Sequence, residues 1–257
     1  MNLAFLVGLA AVAISAVGLV LQQRRRATLL ERRLARATED LEALQHSFER
    51  FAPAVVVDQI VEQGVSIRPE MKDVTILFAD LRGFTAIAEK LEPTVLVTVL
   101  NGYFACMERA LAENRGHLAK FIGDGLLALF GALEANPWQT NDALHAALAM
   151  RAALVDYNRR LVDQGLPALA CGIGVHRGPV VAGVLGAAAV KEYGVIGRTV
   201  NVAARIERLT RVHDTDILVS ETVRAHGDPS FHLLPMPATS VKGIPDPIVT
   251  LALDGFA

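Results

Sequence analysis

The run Val74-Thr75-Ile76-Leu77-Phe78-Ala79 closes on Asp80 and breaks at once into Leu81-Arg82-Gly83-Phe84-Thr85. Its β-branched, aliphatic and aromatic side chains read as a buried strand that delivers a carboxylate at its exit. A second aspartate, Asp124, sits in Phe121-Ile122-Gly123-Asp124-Gly125-Leu126, between two apolar runs and flanked by glycines. Such a carboxylate is costly to bury alone, and two that converge repel unless a cation lies between them. Oxygen ligands with one or two carboxylates are what Mg²⁺ accepts when a substrate phosphate completes its shell. Taken singly, each aspartate is equally a turn former beside glycine. The residues that follow at matching positions favour the pair.

Strand signals recur at 74–80, 117–121, 126–130, 170–176, 193–196, 216–219 and 248–253. Helical periodicity covers 93–113, 140–163 and 199–210, with Thr140 or Asn141 as the expected cap of the second helix and Gly165 as its stop. Strands alternating with helices, plus a hairpin around Gly123-Asp124-Gly125, predict an α+β fold with helices on a mixed sheet. A formal net charge of -2 over 257 residues gives no basic face for nucleic acid. The only cysteines, Cys106 and Cys171, lie in apolar runs and read as buried thiols of a reducing compartment. No cysteine/histidine spacing of the zinc type occurs.

The amino-terminal end reads differently. Leu3 to Leu21 carries no charge and is followed by Arg24-Arg25-Arg26. As a helix it approaches the roughly 30 Å hydrocarbon core, with the arginines on the cytoplasmic side. The expectation is a single-pass anchor over 1–22 in the inner or plasma membrane, with the rest of the chain in the cytoplasm. A cleaved secretory leader is the rival; the missing basic residue ahead of the apolar run and the lack of a small-residue cleavage site speak against it. Leu30, Leu34, Ala37, Leu41, Leu44, Phe48 and Phe51 then form an a/d stripe flanked by charges. It predicts a parallel coiled-coil helix over 23–52, or else one amphipathic helix packed on the following domain. Pro53 ends the stripe, and 53–70 reads as a linker helix leading to a domain over 71–257.

Five segments within 74–253 resemble the class III nucleotidyl cyclases, the family of adenylyl and guanylyl cyclases. They are Phe78 to Thr85, Lys120 to Gly125, Gly172-Ile173-Gly174-Val175-His176-Arg177-Gly178-Pro179-Val180, Tyr193-Gly194-Val195-Ile196-Gly197-Arg198-Thr199-Val200-Asn201-Val202-Ala203-Ala204-Arg205, and Val241-Lys242-Gly243. They stand in the family's order with family-like spacing. The resemblance is to bacterial membrane-anchored adenylyl cyclases above all, and it implies a ferredoxin-like core with added strands.

It also implies roles. Asp80 and Asp124, with the main-chain carbonyl of Leu81, bind two Mg²⁺ or Mn²⁺ ions per site. The turn from Leu81 to Thr85 places the Phe84 and Thr85 amides toward phosphate, the Phe84 ring itself being a packing residue. Lys120 meets adenine N1, where guanylyl cyclases use glutamate; a lysine cannot accept from the N1–H of guanine. Asn201 orients the ribose, Arg205 neutralises the α-phosphate, and Lys242 holds the outer phosphates. The implied reaction is ATP to 3′,5′-cyclic AMP and pyrophosphate.

Two positions depart from the family pattern. Gly194 stands where relatives carry Asp, Thr or Cys against the purine, which keeps a guanylyl or dual-specificity enzyme open. Gly172 stands where many relatives carry a phosphate-gripping arginine, a loss that Arg177 or Arg198 could offset. His176 reads as a packed strand histidine without a role. The family draws its metal aspartates from one protomer and its base, ribose and triphosphate residues from the other. A homodimer, joined through catalytic domains and coiled coil, is therefore expected, and a silent nucleotide-binding dimerisation module is the alternative of another class.

Overall fold

A computed structural model describes residues 69–186, 191–240 and 247–256. The expected anchor, the coiled coil and nearly all of the linker lie outside these residues, as does Lys242. The elements are β1 (Glu70–Leu81), α1 (Phe84–Ala88), α2 (Pro93–Glu113), β2 (His117–Ile122), β3 (Gly125–Phe130), α3 (Gln139–Asp163), β4 (Cys171–Gly186), β5 (Lys191–Ile196), α4 (Arg198–Val212), β6 (Ile217–Ser220), α5 (Glu221–His226), β7 (Phe231–Pro235) and β8 (Thr250–Phe256). The sheet runs β2-β3-β1-β4-β6-β8-β7, with β5 paired to β4. Only β4 and β6 pair in parallel; the other neighbours are antiparallel, which makes the mixed sheet anticipated from the sequence.

The central strand β1 is buried on both faces, and its alternation sorts two cores. Leu77, Ala79 and Leu81 join α2 and α3 through Tyr103, Met107, Leu144 and Met150. Val74 and Ile76 face the other way, toward Ala203 of α4 and the ring of Phe78. Asp80 has the parity of Ile76 and Phe78, so it emerges on the α4 face. A slip of one residue in the β1 register would drive its carboxylate into the α2–α3 core.

On that face α4 lies almost in contact with the backbone of β4. A β-carbon on Gly174 would stand 2.2 Å from the Glu207 amide nitrogen and 2.6 Å from its α-carbon. The alternate positions Gly172, Gly174 and Gly178 thus form a shallow trough that seats the helix. Arg82 ties the same corner: its amide donates to the Ala170 carbonyl at 2.7 Å, and its guanidinium donates to the carbonyls of Thr210 and Thr215.

Several boundaries differ from the sequence expectation. β1 begins at Glu70, and β4 runs through Gly178-Pro179 to Gly186, both longer than predicted. Its extra length pairs with the early part of β1 and with β5, long-range partners that local periodicity does not report. α3 starts at Gln139 behind Trp138, and neither Thr140 nor Asn141 caps it. Thr140 is instead buried against Thr75, and Asn141 accepts from the Asp228 amide. Gly165 does follow the helix end, with φ of 71°. α5 and β7 were not foreseen; α5 is capped by the Ser220 side chain, which accepts from the Val223 amide. Cys171 is buried as expected, whereas Cys106 is only partly so, and both are free thiols.

Candidate active site

The hairpin joining β2 and β3 has only Gly123 and Asp124 between its paired ends Ile122 and Gly125. Gly123 takes φ of 63°, which glycine adopts without steric cost and which suits a two-residue hairpin. The turn brings Asp124 beside the end of β1. A β-carbon on Gly125 would fall 2.9 Å from Asp80 Oδ1 and 2.9 Å from the Ala79 carbonyl oxygen, so this glycine lets the hairpin close onto the first aspartate. Asp124 holds its proton more tightly than an ordinary aspartate, chiefly through desolvation; its own backbone hydrogen bond opposes this, the Asp80 charge adds to it and Arg211 offsets it. The two carboxylates therefore share one field.

A positive charge already stands in that field. Arg211 Nη2 donates to Asp80 Oδ2 at 2.7 Å and to the Leu81 carbonyl oxygen at 3.2 Å. One turn earlier on α4, Glu207 is buried, and its Oε1 is 3.8 Å from the same nitrogen and has no hydrogen-bond partner. Burial raises the Glu207 carboxyl to about 7 against the opposing pull of Arg211. Glu207 and Thr210 fill the space over Gly172, where a β-carbon would meet Thr210 Oγ1 at 2.3 Å and Glu207 Oε1 at 3.0 Å. Gly172 is the direct partner of Asp80 across β1 and β4. The sequence reading missed Arg211, Glu207 and Thr210. Their signal was a carboxylate and a hydroxyl on the apolar stripe of an otherwise amphipathic helix, at positions that face the sheet with Ala203.

The remaining expected residues fall into two groups. Lys120 is paired with Leu127, which is paired in turn with Phe78. Residues directly opposite share a face, so Lys120 stands on the face that carries Asp80. Phe84 packs on the α2–α3 core as a partly buried ring, and it and Thr85 form the first turn of α1 behind Gly83, at φ of 64°. The second group lies on the β5–α4 unit. Gly194 is buried opposite Gly183, and an added β-carbon would touch Leu185 Cδ1 at 3.2 Å. Asn201 is exposed and Arg205 half-buried on α4. Along the helix axis Arg205 is about 9 Å and Asn201 about 15 Å from Arg211, which touches Asp80. One chain thus gathers Asp80, Asp124 and Leu81, with Lys120 on the same face of the sheet, and among the described residues no hydrogen bond or ion pair joins Asn201 or Arg205 to either aspartate.

Arg177 pairs with Asp73 at 2.7 Å and donates to Thr140, remote from Gly172 along the strand; it does not fill the place of the absent arginine within the chain. Arg198 is exposed at the first turn of α4. His176 is hydrogen-bonded to Ser220 at 2.8 Å, and burial lowers its pKa to about 4. It is neutral near pH 7, as a packed strand histidine should be.

The family model described as the adenylate and guanylate cyclase catalytic domain matches residues 67–255. The chain belongs to the class III nucleotidyl cyclase family. Among curated relatives it is 41% identical over 185 residues to an adenylate cyclase of Anabaena cylindrica, a match covering 69% of this chain and 36% of that protein. It is 31% identical over 199 residues to adenylate cyclase 1 of Rhizobium meliloti, covering 77% of this chain and 30% of the relative. The chain thus spans about a third of the length of these relatives. Among solved structures, the guanylyl cyclase Cya2 superposes with a TM-score of 0.70 at 34% identity, over 74% of this chain and 95% of that one.

Among the described residues no three His, Cys, Asp or Glu side chains cluster as a metal cage. The donors present are two carboxylates and one carbonyl, all hard oxygens, and Arg211 shows that Asp80 and Leu81 together accept a cation. That donor set suits Mg²⁺ or Mn²⁺ completed by substrate phosphate and water, and not a soft transition metal.

Proposed function

We propose that this protein is an adenylyl cyclase that converts ATP to 3′,5′-cyclic AMP and pyrophosphate at two sites shared across a homodimer. The observation that carries the reading is the contact of Asp80 with the hairpin that bears Asp124, set apart on the same chain from Asn201 and Arg205. Asp80, Asp124 and the Leu81 carbonyl would hold two Mg²⁺ or Mn²⁺ ions, which when bound make the ribose 3′-hydroxyl a better nucleophile and neutralise the leaving pyrophosphate. The chain's other residues position and select. Lys120 of the partner subunit donates to adenine N1. Asn201 of the partner subunit orients the ribose for in-line attack on the α-phosphate. Arg205 of the partner subunit meets the charge that grows on that phosphate, a task suited to its planar fork of donors. Lys242 of the partner subunit and the amides of Phe84 and Thr85 grip the outer phosphates. The 3′-hydroxyl gives up its proton to water, and its oxygen forms its bond to the α-phosphorus as the bond from that phosphorus to pyrophosphate breaks. Residues 1–22 would anchor each chain in the inner or plasma membrane, and the 23–52 helices would pair and, through residues 53–70, align the catalytic domains in the cytoplasm.

A second reading is a guanylyl or dual-specificity cyclase. Gly194 keeps it open, because glycine gives the purine no side-chain partner, and Cya2 carries the name of a guanylyl cyclase. Turnover of ATP and GTP by the full chain with Mn²⁺ separates the readings. Cyclic AMP in excess, abolished by Asp80→Asn, supports the first. Cyclic GMP in excess selects the second. No turnover of either nucleotide by a folded dimer makes the protein a silent module and ends both.

A further inference from the structure

The nitrogen that links Arg211 to Asp80 also reaches the Leu81 carbonyl oxygen, at 2.7 and 3.2 Å. A single cationic atom therefore bridges the two oxygens assigned above to a divalent ion. Guanidinium and metal cannot both stand there: unit charges a few ångströms apart repel, and each oxygen would have to serve both. The helix supplies another acceptor for the arginine. Glu207 Oε1 is buried, is without a hydrogen bond, and is 3.8 Å from the same nitrogen. A shift of about 1 Å brings that pair to ordinary hydrogen-bond length.

We infer that Arg211 is a resident counter-cation of the metal pocket, which yields Asp80 and Leu81 to the incoming divalent ion by swinging to Glu207. The inference rests on the reading that Asp80 and Leu81 are metal ligands. It accounts for three features that this reading leaves unexplained. The first is a buried glutamate on the sheet-facing side of α4. The second is its orphaned oxygen. The third is an arginine one turn on that points at the aspartate and not at the glutamate. With no divalent ion bound, Arg211 offsets the repulsion between Asp80 and Asp124. With the ion bound, the same guanidinium neutralises Glu207, so the arginine keeps an anionic partner in either state. Arg211 is accordingly a positioning residue, and its effect is to raise the divalent concentration the pocket needs before it fills.

The test is Mn²⁺ binding by the full chain without nucleotide, read from the electron paramagnetic resonance of free Mn²⁺. Arg211 and Asp80 side chains are 40% and 34% exposed. The competition is therefore that of a partly solvated ion pair, and Arg211→Met should tighten Mn²⁺ binding by about two- to fivefold. Glu207→Gln should weaken it, because the arginine loses its charged alternative. In the Arg211→Met background the Glu207→Gln effect should vanish. Arg211→Lys, which keeps a charge but not the bridging reach, should fall between wild type and Arg211→Met and provides a second variant if the methionine protein does not fold. Mn²⁺ affinity unchanged or weakened in folded Arg211→Met overturns the inference, since the arginine would then be a prop for Asp80 and not its competitor. The two readings fail separately. Wild-type Mn²⁺ binding that survives Asp80→Asn removes the metal site itself. Binding that Asp80→Asn abolishes and Arg211→Met leaves unchanged removes only the role of Arg211.

Discussion

Gly125 and Asp80 touch across the end of β1: a β-carbon on the glycine would lie 2.9 Å from the aspartate's Oδ1 and 2.9 Å from the Ala79 carbonyl oxygen. The first residue of β3 thus fixes how closely the Asp124 turn approaches the other carboxylate. Because one of the two clashing atoms is backbone, the strand must give way if a methyl group is added. Gly125→Ala should leave the fold standing and separate the two aspartates. A displacement near 1 Å at such a site costs roughly 10- to 100-fold in rate. The expected result is a cyclase activity lower by that factor, with Mn²⁺ binding weakened and the far-ultraviolet circular dichroism unchanged.

The trough in β4 makes a stability prediction. At Gly174 an added β-carbon meets the backbone of Glu207 at 2.2 Å, whereas at Gly172 it meets the Thr210 hydroxyl at 2.3 Å and the end of the Glu207 side chain at 3.0 Å. Side chains can turn away and a helix backbone cannot. Gly174→Ala should therefore lift α4 from the sheet and cost about 1–3 kcal/mol, the range of overpacked cores. Gly172→Ala should cost less. Urea unfolding of the two variants checks the order; equal midpoints would show that α4 is free to move on the sheet.

His176 gives the fold a pH dependence. Its pKa falls from about 6.5 in an unfolded chain to about 4 in the folded one, because burial penalises the charged ring. Between those values the unfolded chain binds more protons than the folded one, so stability rises with pH through that window. The contribution is complete above pH 6.5 and is lost as pH falls toward 4. His117 is shifted in the same direction by burial. His176→Gln should flatten part of the acid-side slope and leave the part due to His117. Urea midpoints of both proteins at pH 5 and pH 7.5 measure the difference.

These relationships divide into those the sequence displays and those it conceals. Asp80 was legible because a continuous apolar run fixes both the strand and its exit, and Asp124 because glycines bracket a hairpin. Lys120 was legible as a strand residue at a set distance from that hairpin. Arg211 and Glu207 were not. Their meaning depends on where α4 crosses the sheet, and that crossing is set by Gly172 and Gly174, whose role is to have no side chain. A sequence pattern registers what residues bring and is nearly blind to the space they leave. The early half of β1 and the late half of β4 were missed for a related reason. Asp73, Arg177 and Pro179 look like loop residues until each is paired, Arg177 with Asp73 by an ion pair and Pro179 opposite Asp73 in the strand register.

The last prediction concerns the separation of the two groups of site residues. Arg205 stands six residues before the arginine that touches Asp80, about 120° away around α4, so the two side chains leave the helix on different faces. In an isologous pair, the aspartates of one protomer would face the Asn201 and Arg205 surface of its partner, and two equivalent sites would result. Asp80→Ala and Arg205→Ala should each be almost inactive alone. Mixed in equal amounts and allowed to exchange, half of the dimers would carry one protomer of each kind. Each such dimer has one site with both defects and one with neither. Activity should return to roughly a quarter of wild type, the value that random pairing of two protomers dictates. No recovery, with mixed dimers demonstrated by differently tagged chains, would mean that each chain assembles its own site. The Arg205 side chain would then have to turn toward the Asp80 face of its own α4 to reach the same phosphate.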